Sequence, residues 1–351
     1  MKSELIKSLI INNGFRVVIF EGSYASSSLI NNYIINGDGN VYNAIFNLGP
    51  WAWYTEEVLE LIEWLKTHNE SLPSEEKVVF YGCDMQGARP AAKNVIEYLQ
   101  EQGNIIADLL KGLQWIESSP MIRNPTKDQR EQIKITLADL DAEFKHISPA
   151  SNKEQSRLAY NKRILEQWAE RLFTKENTHS KRDEFMAENC LFILKNEPNS
   201  KAILWAHNVH IAKSKDLNQL LIPMGNHLNK YLNDDYYALG FGFNSGQFTA
   251  QLNNQRELIS ITVDDAKKRS SDLAFSQYKS PSFFLDFKQL KNKYLSTSWL
   301  NNPTLSRNIG TTYYKKGSYR NHVLTDSYDG IIFIRETKAS QLLDFSLLRE
   351  K

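Results

Sequence analysis

The feature that most restricts this chain is an early alternation of helix-spaced and β-branched stretches. Residues 3–12, "SELIKSLIIN", carry apolar side chains at helical spacing, Gly14 ends the pattern, and "FRVVIF" follows as a short buried strand. The order then recurs. In "TEEVLELIEWLKTH", Val58, Leu59, Leu61, Ile62 and Leu65 share one helical face with Thr55 as N-cap, and "KVVFYG" reads as the next strand. Helix and strand in alternation predict an α/β fold: a mostly parallel mixed sheet flanked by helices.

From about Ala92 to Asn177 the strand signal disappears. Charged helical segments such as "SRLAYNKRILEQWAERLF" replace it, broken near Pro120, Pro125 and Pro149. Residues 96–180 are therefore expected to form an all-helical insertion sub-domain in a discontinuous core of residues 1–95 and 181–351. Alternation resumes with the helix "RDEFMAENCLFILKN", the strand "KAILWA", a helix around "MGNHLNKYL", the strands "YYALGFGF" and "GQFTAQL", and a last apolar strand, "YDGIIFI". Residues 251–320 mix polar and aromatic side chains without a clear period and define no individual elements. There is no internal repeat or low-complexity tract.

The charges, 42 basic against 41 acidic, are mixed along the 351 residues rather than gathered in tails. That balance gives no case for a nucleic-acid or membrane partner. An apolar content of 41% suits a globular protein, and no stretch is long enough to read as a membrane span. Cys83 and Cys190 form no CxxC pair and read as buried thiols of a reducing compartment. The N-terminal residues lack a charged head, a long apolar run and a cleavage site. The expected location is cytoplasmic, with export left open if the native start lies upstream.

Ligand sites of open α/β sheets lie outside the carboxyl ends of the strands. Glu21 follows "RVVIF", Asp84 and Gln86 follow "KVVFYGC", and His207, Asn208 and His210 follow "KAILWA". Singly, each has an ordinary explanation: a strand-end carboxylate caps helices or turns, and a half-buried imidazole is common. Together they are more informative, because burying a carboxylate beside imidazoles is costly unless the groups are paired or needed. The chain lacks a G-x-S-x-G elbow, H-E-x-x-H, a P-loop and a dinucleotide fingerprint. Histidine with carboxylate remains, which suits general acid/base activation of water or a mixed metal site. Both point to a hydrolase.

Arg182 and Asp183, opening "RDEFMAEN", are further candidates. The guanidinium could meet a developing oxyanion or an Asp or Glu of the site, against the simpler roles of solvated charge and first-turn carboxylate. Trp51, Trp53 and Tyr54 in "GPWAWYTEE" read as core or cleft wall, and Trp53 is the substrate-wall candidate. His68, His146, His179, His227 and His322 show no partner pattern.

The pieces "GFRVVIFEGSY", "VVFYGCDMQG", "KRDEFMAEN", "KAILWAHNVHIAK", "MGNHL", "YYALGFGFNSGQF" and "YDGIIFIRETKAS", in that order over most of the chain, resemble the erythromycin esterase-like proteins, some of them named succinoglycan biosynthesis proteins. The resemblance implies an α/β core with a helical insertion. It also implies hydrolysis of a macrolide lactone or related ester by activated water, without a covalent serine intermediate; no cofactor is expected, with a divalent metal left open. Carried over, Glu21 corresponds to the family's strand-end carboxylate, His207 and His210 to its paired histidines, and Arg182 to the arginine of its R-D helix; Asp84, Gln86, Asn208 and Trp53 are the substrate-side candidates of the strand-end reading. Family members open with a G-E-x-x-H-G motif, whereas this chain contains no Gly-Glu pair, so the comparison implies a shortened N-terminus and lowered activity. Two other readings stand beside the esterase: a non-catalytic protein holding a macrolide-like ligand, and a metal-dependent hydrolase with His207, His210 and Glu21 as ligands.

Overall fold

The computed structural model describes all residues except 104–105, 120–121, 123, 147–151, 175–177, 216–220, 254–256, 292–298 and 345–351. The expected breaks at Pro120 and Pro149 lie outside the described residues. The chain divides into two compact units: residues 1–53 with 58–205, and residues 54–57 with 206–344 among the described ones.

In the first unit the order is α1 (Lys2–Asn13), β1 (Phe15–Ser23), α2 (Tyr24–Asn36) and α3 (Val41–Asn47). There follow α4 (Glu56–Glu70, from Val58 on), β2 (Val79–Asp84), α5 (Ala88–Glu101), α6 (Ala107–Ser118), α7 (Lys127–Phe144), α8 (Asn152–Phe173), α9 (Thr178–Asn196) and β3 (Lys201–Trp205). The strands form a parallel sheet in the order β2-β1-β3. The central strand is covered on both faces, as its continuous apolar run requires: Val17, Val18, Ile19 and Phe20 are all buried. Each such side chain contributes about 1.5–3 kcal/mol on burial.

Helix α1 ends where expected, with Gly14 in the left-handed region and its N–H donating to the Leu9 carbonyl. Val58, Leu61, Ile62 and Leu65 are buried along α4. The strandless stretch, in its described part, is built of helices joined by short turns and irregular segments. Thr126, just after Pro125, opens α7 with a capping box to Gln129. These helices group with the parallel sheet, through packing of α5 on α8, α8 on α9 and α9 on β2.

The second unit contains α10 (Asn208–Ile211), α11 (Met224–Leu232), β4 (Leu239–Leu252), β5 (Leu258–Val263), α12 (Ser271–Ser276), β6 (Ser282–Asp286) and α13 (Phe287–Lys291). It continues with β7 (Thr304–Arg307), β8 (Thr312–Tyr313), β9 (Tyr319–His322), α14 (Leu324–Ser327) and β10 (Gly330–Thr337). Its main sheet runs β5-β4-β10-β6 with β8 beside β4; β10 lies parallel to β4, while β5 and β6 are antiparallel to their neighbours. A separate ribbon pairs β7 with β9. The two strands expected at "YYALGFGF" and "GQFTAQL" are one. Gly246 takes φ 111°, which a side chain would resist, and pairs with both Val263 and Thr337, so the ladder continues instead of turning.

Candidate active site

Glu21 does not follow β1 but lies inside it, at an irregularity. Phe20 pairs with Gly82 and Ser23 with Asp84, so three steps along β1 face two along β2. One extra residue is accommodated, which bends the strand and re-aims its side chains. The bulge brings backbones close: a Cβ on Gly82 would stand 2.4 Å from the Gly22 carbonyl oxygen and 2.5 Å from that of Ser23. Glycine at position 82 is therefore required by the way β1 carries Glu21. Asp84 ends β2, and its Oδ1 accepts the Gln86 N–H at 3.2 Å, turning the chain towards α5. The Gln86 side chain is exposed.

Arg182 was expected to open its helix, but α9 begins at Thr178, so Arg182 sits a full turn inside. Helical side chains lean towards the N-terminus, and from there the guanidinium reaches both strand-end carboxylates. Its Nε lies 3.2 Å from each Asp84 oxygen, and its Nη2 donates to Asp84 Oδ2 at 2.7 Å and to Glu21 Oε1 at 2.9 Å. All three side chains are largely shielded from solvent, with 12% exposure for Arg182, 14% for Glu21 and 3% for Asp84. Burial alone would lower the arginine's pKa. Asp84 first and Glu21 second overcome that and hold it above its ordinary value. The arginine thus binds its site's acids. Asp183, beside it, is fully buried.

Trp53 supports Glu21 from below. Its indole Nε1–H donates to the Glu21 carbonyl at 2.9 Å, and its ring packs against Phe20 (4.6 Å between centroids) and Trp205 (5.5 Å). With 5% exposure it belongs to an aromatic cluster under the carboxylate. The sequence signal for this role, a tryptophan in "PWAW", does not distinguish wall from support.

In the second unit, His207 caps the four-residue helix α10: its Nδ1 accepts from the Val209 N–H at 3.3 Å. In the neutral ring Nε2 therefore carries the hydrogen and donates to the Ile309 carbonyl at 2.7 Å. His210 follows one turn on, its ring 6.4 Å from that of His207 and inclined at 71°. The Asn208 amide is engaged with β4, donating to the Phe241 carbonyl at 2.6 Å and accepting its N–H at 3.2 Å. Among the described residues, no three or more His, Cys, Asp or Glu side chains gather as a metal-ligand set. No helix among them is long and apolar enough to cross a membrane.

These observations define the class: a mixed α/β protein whose parallel strands deliver two acidic side chains to one buried arginine at their carboxyl ends. The chain belongs to the erythromycin esterase family, whose model matches residues 10–337. It is 24% identical over 380 residues to YbfO of Bacillus subtilis, a protein described by name as a hydrolase, covering 97% of this chain and 81% of that one. It is likewise 24% identical over 284 residues to an erythromycin esterase type II of Escherichia coli, covering 71% of this chain and 66% of that one. Among solved structures, a Bacillus cereus protein superposes with a TM-score of 0.85 at 23% identity, covering 98% of this chain and 86% of the other. The erythromycin esterase EreC, a mutant in its open conformation, gives 0.68 at 15% identity, covering 98% and 88%. The structural likenesses establish the fold. The family places the chain among hydrolases.

Proposed function

We propose that the chain hydrolyses a carboxylic ester or lactone, with a macrolide lactone as the reference substrate, using water rather than a covalent intermediate. Glu21 takes a proton from water as it adds to the carbonyl carbon. The C–O bond to the alcohol then breaks, and the proton passes to the departing oxygen, leaving carboxylate and alcohol. Arg182 keeps Glu21 aimed, and Asp84 holds Arg182. His210 polarises the carbonyl, and His207, with both ring nitrogens engaged, fixes the turn that carries it. Gln86 faces the substrate side, Trp53 braces Glu21 from beneath and Asn208 ties α10 to β4, while residues 96–180, as a helical sub-domain, supply further wall.

The observation that supports this reading best is the buried Arg182 clamp, in which one guanidinium holds both Asp84 and Glu21. An ion cluster this shielded is costly to build for stability alone. The test is mass-spectrometric detection of ring-opened erythromycin, heavier by one water, from the wild type, Glu21→Gln, His210→Ala and a chelator-treated sample. The reading expects product in the wild type, a loss of about a hundred- to ten-thousand-fold in each variant, and no chelator effect. Variants as active as the wild type would overturn the residue roles. Because groups serving one step are non-additive, the double variant should lose little more than the worse single one.

A further inference from the structure

Within the second unit lies a cavity of about 30 Å³ lined by Ser306, Arg307, Arg320, His322, Ser327 and Asp272 among others. Asn208 also borders the cavity, and none of the six side chains just named has a part in the hydrolysis above. The β7–β9 ribbon places Ser306 opposite Arg320 and Thr304 opposite His322. Side chains at alternate positions share a face, so Ser306, Arg320 and His322 stand together, Ser306 diagonal to His322. The ribbon is anchored from beneath, because the buried Asp272 accepts the Arg307 N–H at 2.6 Å.

The hydrogen bonds run in one direction. The Ser327 hydroxyl donates to the Val323 carbonyl at 3.0 Å, so its oxygen accepts from His322 Nδ1, 2.8 Å away. A neutral ring with its hydrogen on Nδ1 has an acceptor at Nε2, and Ser306 Oγ lies 2.5 Å from that atom. Ser214 Oγ, 2.8 Å from Ser327 Oγ, extends the chain. A hydroxyl donating to an imidazole whose far nitrogen is fixed by a third group is the arrangement of an activated nucleophile.

We infer that Ser306 is a second reactive centre of this protein, a nucleophile with His322 as its base that accepts the acyl group of small carboxylic esters. Ser306 Oγ attacks the carbonyl carbon, its proton passes to His322 Nε2, and the bond from that carbon to the leaving oxygen breaks. The products are acyl-Ser306 and the alcohol or phenolate. Arg320, on the same face, meets the charge that develops on the carbonyl oxygen. A single water needs about 10–15 Å³ of such space, so a cavity of about 30 Å³ accommodates an acyl group of acetyl size. Ser327 is a positioning residue acting through His322.

The test uses the full chain with p-nitrophenyl acetate, followed by peptide mass spectrometry and the rate of p-nitrophenolate release. The expected result is acetyl on Ser306 in the wild type and at least a hundredfold slower acetylation of Ser306 in His322→Gln, which keeps the hydroxyl. Ser327→Ala should slow acetylation at saturating ester and leave KM unchanged, with Ser327→Thr restoring the rate. Glu21→Gln should acetylate Ser306 as the wild type does, which separates this centre from the proposed esterase site. A wild type acetylated on lysines but not on Ser306 would overturn the proposal even if every variant misfolded. Equal Ser306 acetylation in a folded His322→Gln would overturn it as well.

Discussion

Arg182 holds Asp84 across 98 residues of sequence, with Nε 3.2 Å from both carboxylate oxygens and Nη2 2.7 Å from one. The same Nη2 reaches Glu21, so one guanidinium ties helix α9 to two strands. Removing it takes away the guanidinium that two shielded acids share. Arg182→Met is expected to lower stability by about 3–5 kcal/mol, measured by urea unfolding. Adding Asp84→Asn to that variant should recover part of the loss, because the uncompensated charge, not the missing contact, is the larger cost. A double variant no more stable than Arg182→Met would contradict this account.

Gly82 sets the approach of β2 to the bulge at Glu21. Gly82→Ala puts a methyl group 2.4 Å from the Gly22 carbonyl oxygen, and only backbone movement relieves it. The expected cost is about 1–3 kcal/mol, read as a fall in the melting midpoint, with a loss of hydrolysis larger than the stability change explains because Glu21 is displaced. An unchanged midpoint would show that the strands accommodate the methyl.

His207 and His210 are separable by substitution. Asparagine is a strong N-cap and alanine a poor one, and His207 caps α10 through Nδ1. His207→Asn should therefore keep more ester hydrolysis than His207→Ala, whereas His210→Asn and His210→Ala should be equally poor. Comparing kcat/KM across the four variants decides the matter. Equal losses in the two His207 variants would assign that ring a direct chemical role.

Asp272, buried beneath the β7–β9 ribbon, provides a pH test of stability. Burial pushes its carboxyl up to about 6 from 3.8, although the Arg307 N–H pulls the other way. Between those values the native state keeps a proton that the unfolded chain has released, so this group's contribution to stability falls as pH rises. The decline runs from about pH 4 to about pH 6 and totals up to about 3 kcal/mol. In Asp272→Asn that titration is gone. The stability of the wild type relative to the variant should drop across the window and level off above it, as followed by unfolding at stepped pH. A flat or rising difference would contradict the buried, raised carboxyl.

Much of the first unit was legible because its signals are local. Alternating helix-spaced and β-branched runs predicted α1, β1, α4 and β2, and Gly14 marked its own helix end. In a parallel sheet covered on both faces, strand residues are continuously apolar and the exceptions stand out, which is how Glu21, Asp84 and His207 came into view. Bulges and helix starts were not legible. Glu21 lies within β1 because β1 and β2 fall out of step there, and a register is a property of two strands. Arg182 sits a turn inside α9, since a helix boundary depends on what its first turn packs against.

Residues 251–320 and the end of β9 just beyond them hid most. Ser306, His322 and Asp272 come from β7, β9 and α12, elements too short to leave a period in sequence, and His322 showed no partner within its own segment. By itself, then, the sequence determined which side chains stand at strand ends and what elements carry them, because hydrophobic periodicity and backbone preference act over a few residues. Only the tertiary structure decided that Arg182 clamps Asp84 and Glu21, that Trp53 braces the Glu21 carbonyl, and that Ser306 faces His322. Those relationships depend on directional hydrogen bonds between groups far apart in the chain, brought within about 3 Å only when distant elements pack.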